Sequence, residues 1–378
     1  MNSQDQITAE AALSLVHWFQ SHERSLPWRH TGDPYQVWLS EIMLQQTRVE
    51  FVKDRFLSFR SDLPDIESLA ACSEDHLMKL WEGMGYYSRA RNLQKCARVL
   101  CEQYHGQLPA DPALLQQLPG IGPYTAGAIS ALAFGLPVPA VDGNVLRVLC
   151  RLFGIADDIR NPAVRIRLEQ DIAAFYAECG GTLKQQEPTL VQDFTQGLME
   201  LGALICIPNG APQCGQCPWQ EICHACREKS WDRIPFRSPL KQRRIVSRTI
   251  LIIRDGSRFL LRQRPEKGLL AGLYEFPGID GTLTPREAVA AAESLGASCM
   301  QIHRLPDSKH VFTHLEWHMT AYEIRTASVD ALSGDGILLL NKKELAEFAV
   351  PSAFHAYLEY YDLKDQPFRR SPLRKPRK

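Results

Sequence analysis

The sequence predicts a two-part protein: an all-α region over residues 1–205 and an α+β domain from residue 246 onward. Three observations predict it. Apolar residues recur at helical spacing in the first part, as in Ala11, Leu15, Val16 and Phe19 and again in Val145, Leu146, Leu149 and Leu152. After residue 245 the pattern shifts to short β-rich runs with turn residues between them. Between the two regions, five of the eleven cysteines crowd into the stretch from Cys206 to Cys226.

The elements follow in order. Turn signals at Asp33-Pro34, Leu63-Pro64, Pro119-Gly120 and Pro137 cut the first part into about ten helices. A segment rich in Pro and Arg, 227–245, joins the parts. Runs 246–254 and 258–264 read as strands separated by Asp255-Gly256, a hairpin signal. Residues 285–296 read as a helix, 311–324 as a further strand and 351–361 as a closing helix. The expected domains are therefore 1–226, a linker 227–245, 246–363 and a basic tail 364–378, with no internal repeat.

The length of 378 residues suits two or three domains. With 45% apolar and 23% charged residues, the chain is neither disordered nor fibrous. Lys plus Arg equals Asp plus Glu, 43 against 43, which taken as a sum argues against a nucleic-acid binder. The charge is uneven, however. Segment 227–248 holds eight basic residues against two acids, and tail 364–378 seven against one, so each is net +6 and the rest is net −12. The start is polar and acidic, without a targeting pattern, and no apolar run approaches the roughly 18 residues of a membrane span. An odd number of cysteines without such a signal points to reduced thiols and a cytoplasmic protein.

Four motifs carry chemistry. In Leu118-Pro119-Gly120-Ile121-Gly122-Pro123-Tyr124 two glycines form a tight turn between helices. That turn is expected to visit positive φ and to offer backbone N–H groups to a phosphate. Val141-Asp142-Gly143-Asn144-Val145 opens an apolar helix, so Asp142 reads as an N-cap or as a carboxylate kept ionised by the helix dipole. Cys206, Cys214, Cys217 and Cys223 form a compact metal loop, for which zinc and a [4Fe–4S] cluster are both chemically open. In Ser40-Glu41-Ile42-Met43-Leu44-Gln45-Gln46-Thr47 a carboxyl stands beside apolar residues, a setting that raises its pKa.

These motifs, with Leu26-Pro27-Trp28-Arg29 and Trp81-Glu82-Gly83-Met84-Gly85-Tyr86-Tyr87-Ser88-Arg89, resemble the A/G-specific adenine DNA glycosylases (MutY family) within the helix–hairpin–helix glycosylases. The resemblance covers nearly the whole chain. It implies a helix–hairpin–helix catalytic domain with an Fe–S loop and a Nudix-like C-terminal domain. By that resemblance Glu41 is the general acid that protonates adenine, and Asp142 stabilises the oxocarbenium-like sugar. Tyr124 and Asn144 lie near them. Trp28, Arg29 and Glu200 would line an adenine pocket, Gln46 and Tyr86 would wedge into the stack, and Gly120 and Gly122 would hold DNA backbone. The implied cofactor is a [4Fe–4S] cluster on Cys206, Cys214, Cys217 and Cys223. Here seven residues separate the first two cysteines where the family commonly has six. Cys226 reads as a bystander.

The implied partner is duplex DNA with an 8-oxoguanine:adenine or guanine:adenine mispair; no membrane is implied, and a monomer is expected. Related bifunctional enzymes carry a Lys at the position of Tyr124; a phenol forms no imine, so base removal without strong lyase chemistry is expected. The stretch Gly268-Leu269-Leu270-Ala271-Gly272-Leu273-Tyr274-Glu275-Phe276-Pro277-Gly278 resembles Nudix hydrolases. In the helix that follows, alanines replace the two adjacent glutamates that would hold a divalent cation, so hydrolysis there is not expected. Phe312-Thr313-His314 matches the family's Phe-Ser-His loop, which places Thr313 and His314 at 8-oxoguanine. Arg227, Lys229 and Arg233 are candidates for phosphate contacts.

Overall fold

A computed structural model describes residues 7–239, 242–328 and 336–363; the basic tail 364–378 lies outside them. The chain forms two compact units, the first from residues 7–71 and 91–239, the second from 72–90 and everything described after 241. The first is helical: α1 (Ala9–His22), α2 (Pro34–Leu44), α3 (Val49–Asp62) and α4 (Ile66–Ala71) precede α5 (Glu74–Leu80), which belongs to the second unit. Then come α6 (Ser88–Tyr104), α7 (Pro112–Leu115), α8 (Pro123–Phe134), α9 (Gly143–Phe153), α10 (Pro162–Phe175), α11 (Gly181–Gln186), α12 (Leu190–Leu204) and α13 (His224–Arg227).

Local chemistry explains the helices that carry the site. Asp33 caps α2 by accepting from the Tyr35 N–H, and Pro34 supplies the preset φ of a first helical position. Val37, Trp38, Leu39, Ile42 and Met43 are all buried, so α2 is enclosed on every side. Asp142 caps α9, whose apolar residues join those of α1, α10 and α12 in one core.

The second unit is a seven-stranded sheet: β1 (Arg244–Arg254), β2 (Phe259–Gln263), β3 (Tyr274–Glu275), β4 (Gly278–Asp280), β5 (Cys299–Val311), β6 (Leu315–Thr326) and β7 (Ile337–Leu340). The path runs β3-β2-β1-β6-β5, with β4 on β1 and β7 on β2. β1 and β6 pair in parallel along their length, Arg244 opposite Leu315 and Arg254 opposite Arg325. Ile250 and Ile252 enter one core with Phe354 and Tyr357, while Leu251 and Ile253 enter another with Ala288 and Ala292. Alternate residues of β1 thus face opposite sides, each covered by helix: α14 (Pro285–Ser294) on one, and α16 (His355–Tyr360), beyond α15 (Lys342–Leu345), on the other.

Three readings from sequence are corrected. The run 311–324 is not one strand: β5 ends at Val311, β6 begins at Leu315, and Phe312-Thr313-His314 is the turn between them. The Phe312 N–H donates to the Leu315 carbonyl at 2.9 Å, closing that turn. Residues 72–90, expected in the helical domain, fold with the second unit: Lys79 Nζ donates to the Phe348 carbonyl at 3.3 Å and the Val350 N–H to Glu82 Oε1 at 3.1 Å. Of the two hairpin glycines only Gly120 has positive φ, at 77°; Gly122 is the extended N-cap of α8, at −90°.

Candidate active site

A cavity of about 640 Å³ opens in the helical unit, and Trp28, Arg29, Glu41, Gln46, Tyr124, Asp142, Asn144 and Glu200 all line it. Glu41 sits in the last turn of α2 and is 7% exposed. Its Oε2 accepts from the Tyr124 hydroxyl, at the start of α8, at 2.8 Å. Burial pushes the Glu41 carboxyl up to about 7; the phenol's hydrogen bond opposes this and the charge of Asp142 adds to it. Burial and the two carboxylates push the Tyr124 phenol well above its ordinary value.

Asp142 spends one oxygen on its helix. Oδ1 accepts from the N–H groups of Asn144 at 2.8 Å and Val145 at 2.7 Å, and Oδ2 accepts from Asn144 Nδ2 at 2.8 Å. N-cap and cavity wall are thus one residue. Burial nevertheless raises its pKa, although these bonds and the charge of Arg147 pull it down. Of these influences desolvation is the largest.

Glu200, 1% exposed, also lines the cavity. Arg24 clamps it with two bonds, Nε to Oε1 at 2.7 Å and Nη2 to Oε2 at 2.8 Å, and Arg29 Nη2 adds a third at 2.8 Å. Burial disfavours the charged form, but the two guanidiniums outweigh it and hold this carboxyl at about 2. Arg29 also lies over the Phe19 ring at 5.2 Å.

A chain of hydrogen bonds runs from Asp142 to the cysteine loop. Asn144 Oδ1 accepts from Arg147 Nη2 at 2.9 Å, and Arg147 Nε donates to the Cys206 carbonyl at 2.7 Å. One turn later Arg151 Nη1 donates to Cys206 Sγ at 3.3 Å and to the Ile207 carbonyl at 2.9 Å. Gly202 of α12 permits the close approach behind this, since a Cβ there would stand 2.6 Å from Asn144 Cβ.

The cysteines are half-buried free thiols. Burial pushes Cys214 up to about 11 and Cys217 up to about 12, and neighbouring sulfurs add to both. For Cys214 the foremost neighbour is Cys226, so the residue read as a bystander stands among the other thiols. Among the described residues no three His, Cys, Asp or Glu side chains stand in a metal-ligating arrangement. Cys206, Cys214, Cys217 and Cys223 share one loop without converging ligand geometry. Their donor chemistry suits a soft metal: four thiols, no disulfide, and a guanidinium on one sulfur to balance thiolate charge.

Elsewhere in this unit, Gly120 lies against α6, where a Cβ would meet Asn92 Cβ at 2.7 Å. Arg227, Lys229 and Arg233 are exposed. In the second unit, the Tyr86 hydroxyl hydrogen-bonds the Thr313 hydroxyl, bringing together two residues 227 positions apart. Trp81 Nε1 donates to the Gly85 carbonyl at 3.1 Å, and Arg89 lies over the rings of Trp81 and Tyr86. His314 is exposed beside Thr313 in the same turn. On α14 Ala288 and Ala292 are buried, while Glu287 closes a capping box with Thr284. No helix among the described residues is long and apolar enough to cross a membrane.

Arg24, Arg147 and Arg151 were not legible as site residues. Arg147 and Arg151 did leave a signal: two cations one turn apart in an otherwise apolar helix need buried acceptors. Arg24 left none, because its partner lies 176 residues away.

The fold and site define a base-excision DNA repair enzyme with an appended Nudix-type domain. Residues 39–173 match the model of the HhH-GPD superfamily of base excision DNA repair proteins, and 248–360 match the NUDIX domain. The chain is 33% identical to the adenine DNA glycosylase of Mus musculus, covering 92% of this chain and 77% of that one. It is 31% identical to the Homo sapiens enzyme of that name, over 92% and 73%, and 33% identical to that of Buchnera aphidicola subsp. Schizaphis graminum, over 70% and 74%. The chain belongs to the adenine DNA glycosylase family and is a DNA N-glycosylase, a hydrolase of N-glycosyl bonds.

Proposed function

We propose that this enzyme hydrolyses the N-glycosidic bond of adenine mispaired with 8-oxoguanine or guanine in duplex DNA, without strand cleavage of its own. The observation that carries the reading is the Glu41 carboxyl, buried on the Tyr124 hydroxyl at 2.8 Å and pushed up to about 7. At neutral pH about half of it is protonated and able to give a proton to a flipped adenine. Protonation at N7 turns the base into a leaving group. The Asp142 carboxylate, held by three hydrogen bonds, faces the cavity where positive charge develops on the sugar. Water completes the hydrolysis. Two carboxyls in different settings divide acid and stabilising roles, as in other glycoside hydrolysis. Glu200, Arg29 and Trp28 orient the base, and Asn144 orients Asp142. No lysine stands where Tyr124 stands, so the enzyme forms no imine.

Thr313 and His314 read 8-oxoguanine, and Gln46 and Tyr86 enter the stack around it. The Gly120–Gly122 turn and exposed Arg227, Lys229 and Arg233 contact phosphates, so affinity falls steeply with salt. Cys206, Cys214, Cys217 and Cys223 would hold a [4Fe–4S] cluster, whose iron would tie the loop's four thiolates together. The enzyme acts as a monomer in the cytoplasm. The test is a duplex with one 8-oxoguanine:adenine pair, followed by alkali. Cleavage only after alkali, and none with Glu41→Gln, is expected; cleavage by that variant at the wild-type rate would overturn the reading. An iron and zinc assay of the purified protein tests the cluster, and zinc without iron would refute it.

A further inference from the structure

Asp142 is carried by the segment between α8 and α9, and contacts from α8 itself and from α10 hold that segment in place. On α8, a Cβ at Gly127 would stand 2.1 Å from the Pro139 carbonyl oxygen, so the backbones there are in direct contact. On α10, the Arg165 guanidinium donates through Nη1 to the carbonyl of Val141, the residue just before Asp142. Val141 is fully buried, so its carbonyl depends on a protein donor. The positive charge of Arg165 also acts on Tyr124, where it opposes the rise in the phenol's pKa. A residue 23 positions beyond Asp142 therefore reaches both the backbone that presents one catalytic carboxylate and the phenol that holds the other.

We propose that Arg165 is a positioning residue for the hydrolysis: its guanidinium anchors the Val141 carbonyl and so fixes where Asp142 presents its carboxylate beside the Glu41–Tyr124 pair. The inference rests on the catalytic reading of Asp142. A misplacement of about 1 Å in such a group costs up to ~100-fold in rate. Binding of the DNA backbone, which other residues carry, is left alone.

The test compares wild-type protein with Arg165→Ala and Arg165→Lys. The readouts are single-turnover adenine release at saturating enzyme, affinity for a mispaired duplex with a non-hydrolysable adenosine analogue, and thermal melting. Arg165→Ala is expected to release adenine about tenfold or more slowly with affinity within about twofold of wild type. Added guanidinium ion is expected to restore several-fold of the lost rate in Arg165→Ala and none in Asp142→Asn. Arg165→Lys, which keeps the charge and one donor, is expected to lie between. Arg165→Ala at the wild-type rate, or a loss that follows the melting temperature and ignores guanidinium, would overturn the proposal. Should Arg165→Ala fail to fold, Arg165→Lys decides: an unchanged rate at unchanged affinity overturns it, and a slowed one upholds it. If wild-type protein releases no adenine at all, the functional reading falls first and this inference with it.

Discussion

Two buried glutamates that line the cavity behave in opposite ways. Glu41 has one neutral partner, a phenol, and burial drives its carboxyl up to about 7. Glu200 has two guanidiniums and is held at about 2. Burial penalises both charges, and only Glu200 has cations that outweigh the penalty. One residue type therefore gives a carboxyl that holds its proton near neutral pH and another that stays a fixed anion. The choice is made by Arg24 and Arg29, not by Glu200 itself.

The two glutamates also affect stability in opposite senses. The raised pKa of Glu41 favours its protonated form in the fold, so stability falls as pH rises from the ordinary carboxyl value through about 7. The lowered pKa of Glu200 contributes stability that is present above the ordinary value and lost as pH falls through about 2. Glu41→Gln is accordingly expected to cut single-turnover adenine release about a thousandfold. It should also stabilise the fold at pH 8 by up to ~3 kcal/mol, visible in urea titration. A loss of both activity and stability would break the comparison. Asp142→Asn should slow release about a thousandfold while mispair affinity in a gel-shift titration stays near wild type. Glu200→Gln leaves buried Arg29 uncompensated and should destabilise the fold by about 3 kcal/mol. Gly202→Ala, which presses a methyl onto Asn144, should slow release by about tenfold with little effect on affinity. The smallest effect belongs to the second unit: Thr313→Ala should reduce the preference for 8-oxoguanine over guanine opposite adenine about fivefold, measured as a ratio of kcat/KM values.

The cavity was legible where a local pattern encodes a local structure. Asp142 precedes an apolar helix, and the cap it makes is a short-range event. Glu41 lies among residues whose apolar character marks burial. What escaped is long-range. Arg24 and Arg165 act through partners that no spacing along the chain specifies, and Arg147 reaches the Cys206 carbonyl 59 positions on. β5 was missed because it is an edge strand: most of its residues are exposed, and Pro306 and Asp307 interrupt any β pattern. The Phe312-Thr313-His314 loop was legible only by resemblance: it contains no Gly or Pro to mark a turn between β5 and β6. Residues 72–90 read as ordinary helical-domain sequence; their place in the second unit rests on Lys79, Glu82 and Tyr86 meeting residues more than 220 positions away. Deleting 240–378 would strip these partners from 72–90 and so remove more than the Phe312-Thr313-His314 turn.

Net charge turned out to be a poor guide to the ligand. The even balance of 43 and 43 averages an exposed basic stretch at Arg227, Lys229 and Arg233 against acids elsewhere, some of them buried and paired as Glu200 is.

The most direct measurement is the pH dependence of single-turnover adenine release from an 8-oxoguanine:adenine duplex, from pH 5 to 9, for wild type and Glu41→Gln. The general acid must be protonated, so the wild-type rate is expected to fall as pH rises through about 7, and the variant to stay near zero throughout. A wild-type rate that is level from pH 6 to 9, or a variant that keeps pace with it, would contradict the role assigned to Glu41.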